Sequence, residues 1–135
     1  MKTGRQVLLH VILPLAAGLI IYLFCRSGTW LHRLLLFSPA KPPVIPPSNT
    51  FSRIIAFNVP DFCWCYSLSS ALLLWEQWQH KKYRWLPAIV LLILLANEAV
   101  QYFLPSVFTF DLADMIAAIL AFGLSFLLIR KDEKI

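Results

Sequence analysis

The sequence predicts an all-α membrane protein, a bundle of four transmembrane helices, and two observations carry this prediction. Of the 135 residues, 59% are hydrophobic and only 14% are charged, whereas soluble domains are about 45–50% apolar and about 25% charged. The apolar residues are gathered into four runs, each close to the ~20 residues that a helix needs to cross a bilayer. A soluble core of this length would not bury so much apolar surface, so lipid is the expected solvent.

The four predicted spans cover residues 7–25, 61–78, 85–104 and 113–129. They form one predicted transmembrane domain, residues 1–135. In the first span, Pro14 is expected to kink the helix because it lacks a backbone donor. A cleaved signal peptide is the alternative for this run, but its apolar residues continue past Gly18 to Phe24, which favours a retained helix.

The distribution of Lys and Arg predicts the orientation of the bundle, because cytoplasmic loops carry the excess of these residues. With the N-terminus inside, the cytoplasmic segments hold eight of the twelve and the outer segments hold four. Both termini are then cytoplasmic. The first outer loop, residues 26–60, is long, and its stretch "SPAKPPVIPPSNTF" contains five prolines. We expect an extended, stiff segment there.

Composition also excludes several classes of function. The net charge of +5 sits at the ends of apolar runs and forms no basic stripe, so no nucleic-acid partner is expected. Neither the three cysteines nor the three histidines have metal-ligand spacing, so neither a metal nor a cofactor is expected. The cysteines are interpreted as packing residues, and a Cys25–Cys63 bridge is left open.

The stretch "NEAVQYFLPSVFTFDLAD", residues 97–114, places polar residues between two apolar runs. Glu98 lies about 20 Å along the third span at 1.5 Å per residue, in the outer third of the bilayer. Gln101 follows on the same helix face, while Asp111 and Asp114 open the fourth span. Asp61 heads the second span on the same side of the membrane.

These residues form a candidate outer polar pocket, with an arginine of the first loop as a partner for the carboxylates. The candidate binding residues are Glu98, Gln101, Asp111, Asp114, Asp61 and Arg53. Simpler roles exist for most of them. Asp111 and Asp114 fit a cap of the fourth helix, Asp61 fits a cap after Pro60, and Gln101 fits a contact between helices. Glu98 is harder to explain structurally, since a charge at a helix centre costs about 2.5–3.5 kcal/mol.

Other polar and small residues are interpreted as structural. Asp61, Cys65 and Ser69 share one face of the second span, which is expected to turn toward the carboxylates and to serve packing. Glu76 is expected to be solvated at the cytoplasmic interface. The small residues of the fourth span are expected to let helices approach closely; they are Ala117, Ala118, Ala121, Gly123 and Ser125.

The same acidic stretch resembles the signature of the VanZ-like membrane proteins. In that family a Glu is followed at +3 by Gln and at +7 by Pro, and then by two Asp residues spaced by three. Glu98, Gln101, Pro105, Asp111 and Asp114 match this pattern. The close resemblance covers the last third of the chain, and the family's layout of four spans also matches.

The chain departs from the family pattern in the loop and in the last helix. Ser106 and Val107 stand where the family often has Gly-Arg, and one extra residue precedes Asp111. Ala118 and Ala121 stand where the family often has Asn and Gly. The loop therefore lacks the family's arginine, and Arg53 is the candidate to replace it.

The resemblance implies a multi-pass protein of the bacterial plasma membrane that works at its outer face, near cell-envelope precursors; the family's founding member is associated with teicoplanin resistance. The favoured function is a non-catalytic accessory that binds membrane lipid, a lipid-linked precursor or a membrane protein partner. One alternative is an enzyme on a lipid-linked substrate, with Glu98 as acid or base and with Asp111 and Asp114 as oxygen ligands of a divalent cation, although two carboxylates at a helix start more often cap it. Another is an ion-coupled carrier acting as an oligomer, which the almost wholly apolar inner halves of the spans disfavour.

Overall fold

The computed structural model describes residues 2–25, 48–79, 86, 89–93, 95–96 and 112–132. Within these ranges every residue is helical except 48, 49 and 79, which confirms the predicted all-helical class for this part of the chain. The elements are α1 (Lys2–Val7), a π-helical segment (Leu8–Ile12), α2 (Leu13–Cys25), α3 (Thr50–Trp78) and α4 (Leu112–Asp132). The predicted Pro-rich stretch, residues 38–47, lies outside the described residues.

Among the described residues, two helices are long and apolar enough to cross a membrane by length and composition. They are Gly4–Cys25, of 22 residues, and Leu112–Arg130, of 19 residues. They correspond to the first and fourth predicted spans. Of the third predicted span, residues 86, 89–93 and 95–96 are described and are helical.

The first span is distorted next to Pro14, where the sequence predicts a kink. Because Pro14 has no N–H, the carbonyl four residues earlier, that of His10, loses its α-helical donor. The backbone widens there, and the N–H of Leu13 bonds to the carbonyl of Leu8, five residues back, as in a π-helix. The carbonyl of Val11 in this segment accepts a 3.0 Å hydrogen bond from Ser67 Oγ of α3.

The start of α3 corrects the sequence prediction. The second helix was expected to begin at Asp61 after a loop ending at Pro60, but it begins at Thr50. Asn49 Oδ1 accepts from the Ser52 N–H at 2.8 Å, and Ser52 Oγ accepts from the Asn49 N–H at 3.0 Å. This capping box satisfies the first free N–H groups of the helix.

Pro60 therefore lies inside α3, where it removes one backbone hydrogen bond at a cost of about 3 kcal/mol. Its ring is less than 2% exposed, so packing around it offsets part of that cost. Asp61 lies in the middle of a continuous helix and not at its start. The interpretation of Asp61 as a helix cap was wrong.

Hydrogen bonds between helices fix the relative directions of α2, α3 and α4. Asn58 near the start of α3 bonds to Asp114 in the first turn of α4, and Gln77 near its end bonds to the Ile129 carbonyl at 3.1 Å. Because both helices run from the first contact to the second, α3 and α4 are parallel. Ser67 meets Val11 and Cys63 meets Gly18, so α2 is antiparallel to α3.

Large apolar side chains lie on the surface as well as in the core across the described residues. Large apolar side chains face outward on every long helix, such as Ile20 at 56% exposed, Leu120 at 61% and Leu127 at 67%. The buried polar side chains are Ser67, Ser69, Ser70, Glu76 and Ser125. The expectation that Glu76 is solvated was therefore wrong, since it is only 7% exposed.

The buried face of α4 consists mainly of small residues. Ala118, Ala121 and Ser125 are all buried, which confirms the packing role that the sequence predicted for these three. Ala118 packs with Val90 of the segment 89–93, and Cys65 and Leu72 of α3 lie against this pair. Small side chains here let the helix backbones approach closely.

Gly18 marks the closest approach of α2 and α3. A Cβ at this position would lie 2.9 Å from Cys63 Cβ and 3.1 Å from the Trp64 ring, both too short for ordinary contact. Tyr22, one turn further along α2, packs its ring 5.3 Å from that of Trp64. The absence of a side chain at Gly18 therefore allows the two helices to meet.

The substitution Gly18→Ala should separate α2 from α3, since Cys63 Cβ is fixed to the helix backbone and cannot move aside by itself. We expect a loss of about 1–3 kcal/mol in the free energy of unfolding, measured by denaturation in detergent micelles. Gly123→Ala is the matched control: a Cβ there meets nothing within 4 Å, and alanine favours a helix by about 1 kcal/mol. Equal effects of the two substitutions would contradict the close approach at Gly18.

Candidate functional site

The structure describes three of the six predicted pocket residues, namely Asp61, Asp114 and Arg53. Glu98, Gln101 and Asp111 lie outside the described residues, as does Pro105. Their part in a pocket stays a prediction. The positions of the three described residues show which of them lie close together.

Asp114 lies in the first turn of α4 and is half-buried. Asn58 of α3 donates a 3.0 Å hydrogen bond from Nδ2 to Asp114 Oδ1. The helix N-terminus favours a negative charge at this position, worth about 0.3–1 kcal/mol. The bond from Asn58 ties the carboxylate to a second helix, which a simple cap does not require.

Asp61 follows Asn58 by three residues on α3 and is also half-buried. Residues three apart share one face of a helix, so Asp61 lies on the side of α3 from which Asn58 reaches α4. Asp61 therefore lies one turn from the contact that Asn58 makes with Asp114, and further from the contact that Gln77 makes with Ile129. We call Asn58, Asp61 and Asp114 the acidic junction.

Arg53 does not lie on this face. It is exposed in the first turn of α3, where its N–H bonds to the Asn49 carbonyl at 3.0 Å. It precedes Asp61 by eight residues, or about 12 Å along the helix, and is rotated by about 140° from Asn58. If Arg53 binds an anionic part of a ligand, that part of the ligand would have to extend beyond the acidic junction.

Asn58 was missed by sequence reasoning. The segment that holds it was assigned to a loop because Pro60 was taken as a helix boundary. The capping pattern of Asn49 and Ser52 was the signal in the sequence that the helix starts earlier. Asn58 then belongs to the same helix as Asp61, three residues before it and on the same face.

A second polar contact lies where α3 meets the π-helical segment. His10 Nδ1 and the Tyr66 hydroxyl share a hydrogen bond of 2.6 Å, and the buried Tyr66 ring stacks on Phe62 with centroids 6.2 Å apart. Ser67, the next residue, bonds to the Val11 carbonyl. Sequence reasoning treated His10 as isolated, because its partner is 56 residues away.

Over the described residues, no group of three His, Cys, Asp or Glu side chains is placed to hold a metal ion. Cys25, Cys63 and Cys65 are all free thiols, so the Cys25–Cys63 bridge that was left open is not formed. The acidic junction contains two carboxylates and an amide, and oxygens of these kinds accept hydrogen bonds from ammonium and hydroxyl groups.

No family model matches the chain, and no match was found among curated proteins or solved structures. The resemblance to the VanZ-like signature therefore depends on the residues of the acidic stretch alone.

The bond between Asn58 and Asp114 should contribute measurable coupling energy. In a double-mutant cycle of Asn58→Ala and Asp114→Ala, we expect an interaction free energy of about 1.5–3 kcal/mol, because the acceptor is charged. Unfolding in detergent micelles measures it. The control cycle pairs Asp114→Ala with Arg53→Ala, which should add within about 0.5 kcal/mol. A coupling at the control level would mean that the bond contributes nothing.

The contact between His10 and Tyr66 gives a second measurable effect. Tyr66→Phe removes the hydroxyl and keeps the ring on Phe62, so we expect a loss of about 0.5–1.5 kcal/mol in stability. The nitrogen resonances of the His10 ring should shift in the same variant, because Nδ1 loses its partner. The resonances of His32 and His80 serve as internal references. Unchanged His10 resonances would show that the hydrogen bond does not form in solution.

Proposed function

We propose that this chain is a VanZ-like protein that crosses the bacterial plasma membrane four times, with both termini in the cytoplasm. In this proposal the acidic junction faces outward and binds the polar headgroup of a lipid or of a lipid-linked envelope precursor. The protein acts there as a non-catalytic accessory, and a link to glycopeptide resistance is part of the proposal. The observation that carries it is the hydrogen bond by which Asn58 holds Asp114 at the α3–α4 contact.

The large apolar side chains exposed on the helices support the membrane location. Exposed Leu and Ile side chains on α2 and α4 would associate in water, and exposed apolar surface of this extent is typical of a membrane-facing protein. Gly4–Cys25 and Leu112–Arg130 have the length and composition to span a bilayer. The parallel directions of α3 and α4 support a further span between them, since a membrane chain alternates its direction at each crossing.

The acidic junction supports the binding role. Carboxylates in or near a membrane are costly and are kept mostly where they have a partner or a task. Asp114 lies in the first turn of α4 and Asp61 lies one turn from the Asn58 contact with it, on the side that the distribution of basic residues assigns to the outside. Half-buried carboxylates there favour headgroups that donate hydrogen bonds, such as amines and sugar hydroxyls. A lipid with such a headgroup would place its acyl chains against the apolar outer surface of the helices.

Membrane integration and lipid retention test this proposal together. The protein should stay in the membrane fraction on alkaline carbonate washing. Native mass spectrometry of protein released from bacterial-lipid nanodiscs should then show a bound lipid. We expect Asn58→Leu and Asp114→Asn to lower its occupancy about tenfold, as for a loss of about 1.4 kcal/mol in binding free energy.

Gln77→Leu is the matched control, because Gln77 is also an α3 amide that bonds to α4, but at the opposite end. It should retain the lipid. Equal occupancy in all folded variants would remove the acidic junction as a binding site, while release of the protein by carbonate would overturn the membrane location.

A further inference from the structure

The end of the bundle opposite the acidic junction carries exposed arginines. Val7 of α1 packs against a buried cluster that contains Ile129 of α4. Arg5 precedes Val7, and Arg130 follows Ile129. Because the first span runs antiparallel to α4, both arginines lie beyond this cluster, where α1 begins and α4 ends. Both are exposed, and we call this end of the bundle the basic end.

The guanidinium group of Arg130 is held against an aromatic ring. Its central carbon lies 4.2 Å from the centroid of the Phe126 ring, an arrangement in which the face of the ring attracts the cation. Phe126 packs in turn against the buried cluster, so the ring has a fixed position. Among the described residues, Arg130 forms no ion pair with a carboxylate. A guanidinium held in this way keeps its planar N–H donors for a phosphate, which it can bind through two parallel hydrogen bonds.

Little negative charge opposes an anion at the basic end. Glu76 lies near the end of α3 but is only 7% exposed, so its carboxylate is largely withdrawn from the surface. The described helices contribute more basic than acidic residues here: the basic ones are Lys2, Arg5, Arg130 and Lys131, and the acidic ones are Glu76 and Asp132. An anionic group is therefore the complementary ligand.

Two exposed tryptophans show the level of the basic end in a bilayer. Trp75 and Trp78 lie in the last turn of α3, three residues apart and so on one face, and they are 57% and 72% exposed. Gln77, between them, bonds to the carbonyl of Ile129, the residue before Arg130. Tryptophan rings of membrane proteins concentrate at the level of the lipid headgroups. Arg130 thus lies at headgroup level in the membrane location proposed above.

The face of α4 that leads away from Arg130 is apolar and open. Leu127, Gly123 and Leu120 precede Arg130 by three, seven and ten residues and lie on one face. Both leucines are exposed, and a Cβ at Gly123 would meet nothing within 4 Å. Ten residues span about 15 Å, which is half of the ~30 Å hydrocarbon core and so the depth of one leaflet. We call these four residues the α4 stripe.

We infer that the α4 stripe binds an anionic phospholipid, with the phosphate at Arg130 and one acyl chain along Leu127, Gly123 and Leu120. Free phosphate would use only the arginine, whereas the apolar part of the stripe matches the length of a leaflet. This site differs in chemistry from the acidic junction, whose carboxylates accept hydrogen bonds, since Arg130 donates them. In the proposed orientation the lipid belongs to the inner leaflet.

Competition between two lipids tests the inference. The protein is placed in nanodiscs of phosphatidylcholine that contain phosphatidic acid with the same acyl chains, and native mass spectrometry measures the ratio of the two lipids retained. Phosphatidic acid carries the phosphate but neither an amine nor a sugar, so it does not offer the donors that the acidic junction requires. Wild type should retain phosphatidic acid in excess. Arg130→Gln should lower the retained ratio about fivefold, which corresponds to about 1 kcal/mol for one basic residue at an anionic lipid.

Arg53→Gln is the matched control. Arg53 is also an exposed arginine, but it lies in the first turn of α3, at the other end of the bundle. The variant removes the same charge and should keep the wild-type ratio. Excess inorganic phosphate should leave the lipid in place. Circular dichroism and size-exclusion profiles establish that the variants are folded.

Equal retention of the two lipids by wild type would overturn the inference. An equal fall in Arg130→Gln and Arg53→Gln would also overturn it, since net charge alone would then attract the lipid, and displacement by inorganic phosphate would remove the acyl chain from the site. The inference rests on the proposed membrane location, which carbonate washing tests separately. Asp114→Asn should keep the wild-type ratio of phosphatidic acid to phosphatidylcholine, so failure of the α4 stripe and failure of the acidic junction are distinguishable.

Discussion

The packing of α3 between α2 and α4 is the constraint on which the other features depend. Gly18 lets α2 come against Cys63 and Trp64, and the small residues of α4 let that helix approach from another side. In lipid, apolar surfaces gain little by meeting each other, so association depends on close packing and on hydrogen bonds between helices. The three described helices show both.

The hydrogen bonds of α3 are distributed along its length and go to different partners. Asn58 and Gln77 reach α4 near opposite ends, while Tyr66 and Ser67 reach the π-helical segment of the first span. The distortion at Pro14 and the bonds from α3 thus meet at one place. π-Helical turns occur often at functional sites, and this one brings His10 to the buried Tyr66.

The acidic junction joins the first turn of α4 to α3 and suits a ligand that approaches from that side of the α3–α4 pair. The proposed membrane location agrees with the large apolar side chains that are exposed on these helices, while polar groups such as Asn58 and Ser67 turn toward neighbouring helices. A bundle of this kind has few polar groups, and each one that is buried without a structural partner invites an explanation.

Local pattern placed Asp61 and Asp114 on one side of the bundle, because helix direction and rise follow from span order. Arg53 was expected in a loop, whereas it lies in the first turn of α3, and its part in binding stays a prediction. Glu98, Gln101 and Asp111 stay predictions. Asn58 could not be found without the earlier helix start, which the capping box at Asn49 sets.

By itself the sequence determined the helical class, because its apolar runs have the length of spanning helices, and a backbone in lipid must satisfy its own hydrogen bonds. It also determined the distortion at Pro14, which follows from a missing donor. The tertiary structure decided which side chains become hydrogen-bond partners. His10 meets Tyr66 and Asn58 meets Asp114 across 56 residues of chain, and no local pattern specifies such pairs. Burial of Glu76 was likewise decided by the neighbouring helices, since the helix face that is covered depends on where they pack.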